Sequence, residues 1–96
     1  MASLTDATPD RERIIDELRA AGFVVTEWND APHATYEAHA HDHDEVRIVL
    51  RGEMTFVVGS RVFRLGPGRR IDLEAGEVHA ARAGPAGATY LAGRAR

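Results

Sequence analysis

The chain changes its hydrophobic period once. In "TPDRERIIDELRAAG", residues 8–22, Ile14, Ile15, Leu18 and Ala21 recur at helical spacing and form one apolar stripe. Thr8 is the expected N-cap and Pro9 suits the first helical position. Asp10 and Glu12 fall at the positive end of the helix dipole, and Gly22 is a natural stop. From Phe23 onward the period drops to two. "FVVTEW", "ATYEAHAH", "EVRIVL", "MTFVV", "RVFRL", "RRIDL", "EVHAARA" and "TYLAG" read as short strands, divided by "RGE", "GS", "GPG" and "GPAG". Seven or eight strands with Gly/Pro turns predict an all-β sandwich or small barrel carrying one short N-terminal helix. No repeat, linker or low-complexity stretch divides it. Residues 1–22 form an arm and helix of the same domain, and residues 23–96 form the barrel.

Composition narrows the chemistry. The chain has 96 residues and no cysteine, so any metal must be bound through nitrogen and oxygen. A net charge of −3 offers no general attraction to nucleic acid. The arginines of "RGEMTFVVGSRVFRLGPGRR" alternate with apolar residues and read as one solvated face of a hairpin. No apolar run is long enough to span a bilayer, and "MASLTDATPD" lacks the basic start and apolar centre of a signal peptide. A cytoplasmic protein that contacts neither nucleic acid nor membrane is the expectation.

The stretch "EAHAHDHDEV" decides the functional reading. His39 and His41 share a strand face, Glu45 follows four residues later, and His79 arrives after a glycine turn. Three imidazoles and one carboxylate suit one borderline divalent ion per chain, such as iron, zinc, nickel or manganese. His43 stands between two aspartates and is expected in a turn, exposed or behind the ligands; His33 is expected at the surface. In a regular strand Glu37 shares the face of His39, as a general base, as a hydrogen-bond acceptor behind the ligands, or simply in water at the barrel mouth. Arg47 is in register with Glu45 and is expected inside, against a substrate carboxylate or a protein acid. Trp28, Tyr36, Met54, Phe56, Phe63 and Tyr90 are expected in the core or at an interface. The apolar face Val46, Ile48, Leu50 needs a cover, which predicts a homodimer.

These residues resemble the cupins. His39-x-His41-x3-Glu45-x6-Gly52 is similar to the first cupin motif, and Gly68-x5-Glu74-x-Gly76-x2-His79 to the second. Residues 53–67 between them match the short spacing of small microbial members. There are departures. His33 stands where the first motif usually opens with Gly, Glu74 where the second usually has Pro, and Ala83 where it often has Asn. The resemblance implies a cupin-type jelly-roll β-barrel with His39, His41, Glu45 and His79 as metal ligands. It implies a small polar or anionic substrate, turned over by dioxygenase-like or by isomerase- or lyase-like chemistry. The alternative is a non-catalytic module that senses a small molecule or a metal.

Overall fold

A computed structural model of the chain describes residues 9–96. Among these residues one helix, α1 (Arg11–Ala20), precedes six strands. These are β1 (Phe23–Asp30), β2 (Thr35–His39), β3 (Glu45–Val58), β4 (Arg61–Leu65), β5 (Arg70–Leu73) and β6 (His79–Ala95). Thr8 lies outside the described residues. The cap is Asp10, whose carboxylate accepts the Arg13 amide at 3.1 Å, so Pro9 precedes the helix instead of opening it. Gly22, at φ 98°, ends the helix as the sequence predicts.

The strands are all antiparallel and fewer than the turn signals predict, because the chain runs straight through two of those signals. β3 continues across "RGE" and β6 across "GPAG". Both strands bend there instead of reversing. Gly52 and Gly87 take positive φ, 77° and 78°. They abut: a Cβ on Gly52 would overlap the Gly87 carbonyl, and one on Gly87 would meet the Asp30 carbonyl. Only glycine fits both the backbone angle and the contact.

The bends fold one continuous ladder into two facing sheets. The first half of β3 pairs with β5 and with the end of β6, which also carries β1. The second half of β3 pairs with β4 and with the start of β6, which also carries β2. Val49, Met54, Phe56, Val58, Leu65, Ile71, Leu73, Ala83 and Tyr90 fill the space between the sheets. The result is all-β, as the pattern predicts, and takes the jelly-roll form that the resemblance implies.

The outer apolar face is covered from within the chain. Val46 and Ile48 pack with Leu18, Ile14, Phe23 and Val25, and Leu50 packs with Ile15 and Leu91. All three β3 residues are buried, so this face does not require a second subunit, and that argument for a dimer falls away. The helix that the sequence pattern predicts is itself the cover.

Two substitutions test this packing. Leu18→Ala is expected to cost about 2–4 kcal/mol in urea unfolding, as for other buried leucines. Gly52→Ala is expected to cost about 2–4 kcal/mol, from a strained φ plus the clash. A loss under about 0.5 kcal/mol, the range of ordinary surface changes, would show that the helix does not seal the sheet, or that the bend is tolerant.

Candidate metal centre

Three segments meet at one end of the barrel: the end of β2, the loop into β3, and the start of β6. The loops are tied together. Asp44 accepts the Ala75 amide at 2.8 Å, its carbonyl accepts the Ala95 amide at 2.9 Å, and the His41 carbonyl accepts the Gly76 amide at 2.7 Å. Asp44 is thus a clamp, which explains an acid in a histidine-rich turn.

β2 is not regular. Tyr36 pairs with Ala81 and His39 with His79, so β2 carries one residue more than β6 between those pairs. That bulge reverses the alternation of sides. Tyr36 and His39 both line the interior, three positions apart, while Glu37 is exposed. The expectation that Glu37 shares the face of His39 rested on a regular strand. What Glu37 supplies is its carbonyl, which His39 Nδ1 meets at 2.6 Å.

His39, His41 and His79 come together. Their ring centroids are 4.5 to 5.6 Å apart, and one nitrogen from each lies within 4.8 Å of the others. His79 is buried, and its Nδ1 meets the Glu77 carbonyl at 3.1 Å. A carbonyl is only an acceptor, so it holds the proton on Nδ1 and leaves Nε2 as a bare lone pair. This is how metal-binding histidines are usually oriented. Burial pushes the His79 pKa below its ordinary value against the Glu77 bond, which raises it, and the neighbouring His39, His41 and Arg47 push it further down, so the neutral ring is favoured.

Glu45 belongs to a neighbouring group made by His41, His43 and Glu45 itself. It is buried. Its Oε1 accepts from Arg47 at 2.7 Å, and its Oε2 lies 2.9 Å from His43 Nε2 and 3.6 Å from His41 Nδ1. Burial alone would raise its pKa, but the Arg47 charge and hydrogen bond, with His41 and His43, hold it below the usual carboxylate range. His43 lies between Asp42 and Glu45, one ring nitrogen 2.9 Å from each carboxylate. His33 is exposed, at φ 62° in a turn.

Arg47 is inside, as its register predicts, and its acid partner is Glu45. It lines a cavity of about 50 Å³ with Tyr36, His39, Met54, Phe56, His79, Ala81 and Tyr90. Tyr36 and Tyr90 both donate to the Asp30 carboxylate, at 2.8 and 3.1 Å. The sequence pattern does not single out these tyrosines as cavity walls, because the bulge that turns Tyr36 inward has no local signature. A larger surface depression of about 600 Å³ runs along Val57–Arg61 and Glu77–Ala80, but His79 is the only one of the three clustered histidines in its lining.

A family profile described as the cupin domain matches residues 26–91. The chain belongs to the cupin family. A protein of unknown function from Rhizobium leguminosarum is similar in fold, at TM-score 0.71 and 22% identity, over 76% of this chain and 69% of that one. The DMSP lyase DddQ from Ruegeria pomeroyi gives 0.71 and 25%, over 78% of this cupin and 39% of the lyase. The polyketide cyclase RemF from Streptomyces resistomycificus gives 0.67 and 31%, over 75% and 53%. This cupin thus corresponds to about half the cyclase and less of the lyase. No curated protein matches it in sequence. Among the described residues, no helix is long and apolar enough to cross a membrane.

The tyrosine pair carries a pH prediction. Burial raises both pKa values above the ordinary 10, and for Tyr90 the neighbouring Tyr36 and the charge of Asp30 add to it. A phenol harder to ionise in the fold than in the unfolded chain stabilises the fold below pH 10 and ceases to do so as pH rises further. Absorbance at 295 nm is therefore expected to rise only above pH 10, together with alkaline unfolding. A native titration centred at 10 would contradict the burial of the two phenols beside Asp30.

Proposed function

We propose that this cupin holds one divalent metal ion at His39, His41 and His79, with Glu45 beside His41 as the carboxylate ligand, and acts on a small molecule bearing a carboxylate. One observation carries the reading: a ring nitrogen from each of the three histidines lies within 4.8 Å of the others, and backbone carbonyls take up Nδ1 of His39 and His79, which leaves their Nε2 atoms for a ligand. Imidazole nitrogen with one carboxylate suits iron, zinc, nickel or manganese. Such an ion supplies Lewis acidity or, as iron(II), oxygen activation.

The chain's own residues do the rest. Arg47 spends one nitrogen on Glu45 and another on the Val46 carbonyl at 3.2 Å, and its remaining N–H groups are free to receive a carboxylate. Tyr36 and Tyr90 give their hydroxyl protons to Asp30, so they wall the cavity as neutral phenols. A cavity of about 50 Å³ admits the reacting end of a substrate and little else. Glu37 acts through its carbonyl on His39. The similar proteins named as a lyase and a cyclase carry names that denote no oxidation, which favours an isomerase- or lyase-type reaction over a dioxygenase.

His79→Ala is expected to lower bound metal, measured by elemental mass spectrometry, at least about tenfold while circular dichroism stays native. Full metal occupancy in that variant would sink the ligand assignment. Arg47→Ala is expected to weaken carboxylate binding about tenfold with metal content unchanged. Equal binding by variant and parent would remove Arg47 from substrate recognition.

A further inference from the structure

The interior face that carries Arg47 continues beyond the histidines. Across β1, β6 and β3, cross-strand partners form three rows: Val24–Arg94–Glu45, Thr26–Ala92–Arg47 and Trp28–Tyr90–Val49. Partners in register present their side chains on one face, so all three rows share it. Val24, Thr26, Trp28 and Arg94 line a groove of about 280 Å³ that reaches Glu45 and Arg47. Arg47 also lines the 50 Å³ cavity at His39 and His79. It therefore stands between an inner chamber at the metal ligands and an outer one at Trp28.

The outer chamber has a definite chemistry. Glu45 is already neutralised by Arg47 at 2.7 Å. Arg94 has no ion pair among the described residues, so the groove keeps one uncompensated positive charge. Trp28 is 52% exposed, on a strand that pairs only with β6 among the described residues. Its Nε1 donates to Thr26 Oγ1 at 3.0 Å, which fixes the indole over the groove. Arg94 and Arg47 are diagonal neighbours across the ladder, close enough for both to reach one anionic group. A fixed flat apolar surface beside a spare guanidinium suits a ligand with one negative charge and an apolar body.

We propose that this groove is the outer half of the substrate site and takes a monoanionic carboxylate with an aryl or alkyl body. Its carboxylate bridges Arg94 and Arg47, and its body lies on Trp28 and Val24. The inference deepens the proposed function and rests on its placement of the carboxylate at Arg47.

Trp28 is the chain's single tryptophan, so its fluorescence reports the groove directly. The probe is 3-phenylpropionate, with 3-phenylpropan-1-ol as its uncharged counterpart. The carboxylate is expected to change the emission saturably. The alcohol, and the carboxylate with Arg94→Ala, are expected to bind about tenfold more weakly. Arg94→Lys, which keeps the charge and loses the fork, is expected to fall between. Parent protein stripped of metal with a chelator is expected to bind the carboxylate within about threefold of the untreated protein. That comparison separates the two ideas: a metal assignment that fails leaves the fluorescence titration intact. Equal affinity for acid and alcohol, or an unaltered Arg94→Ala variant, would overturn the proposal. So would emission that follows protein concentration and dimerisation in sedimentation, with no response to the carboxylate, since the groove would then be an interface between two copies.

Discussion

The site depends on a one-residue offset in the pairing of β2 with β6. With regular pairing from Tyr36–Ala81 onward, Ala38 would stand opposite His79 and His39 one step further along, facing away. The extra residue puts His39 opposite His79 and leaves Glu37 at the surface, where its carbonyl takes up His39 Nδ1. A bulge thus does two things. It brings two imidazoles on different strands to the same side, and it presents a carbonyl acceptor that selects which nitrogen of His39 is bare.

That pairing needs a sheet that closes over it, and two glycines supply the closure. Gly52 and Gly87 face each other where β3 and β6 cross from one sheet to the other, so each bend holds the other in place. Glu45 and Arg47 on the first half of β3 then share an interior with Met54 and Phe56 on the second half. The bends also leave Val46, Ile48 and Leu50 on the outside, where α1 lies across them. Helix, bends and site are parts of one arrangement. The helix seals the outer face of the sheet whose inner face carries the charged residues.

Most of this was legible in the residues. The switch of period after Gly22 marks helix and strands, and the spacing of His39, His41, Glu45 and His79 marks the two motifs. The register of Arg47 with Glu45 is enough to place it inside. What was not legible has a common physical cause, since a glycine signals an unusual φ but does not say whether the chain reverses or bends. "RGE" and "GPAG" therefore read as turns while the chain passes through them. A bulge has no fixed sequence signature, so Tyr36 was not marked as a cavity wall and Glu37 stayed tied to His39. The cover over Val46, Ile48 and Leu50 was present in the sequence as the stripe of α1, but which two apolar faces meet is a tertiary fact. His43 and Glu45 form a pair whose bond depends on how the short loop closes around Asp44.

Nitrogen-15 NMR of the imidazoles in metal-free protein reads the state of the proposed ligand nitrogens. His39 and His79 are expected to carry their protons on Nδ1, and equimolar zinc is expected to shift the Nε2 signals of both rings together with one ring nitrogen of His41. Protons on Nε2 of His39 and His79, or zinc that moves only His41 and His43, would contradict a centre built on the convergence of His39, His41 and His79.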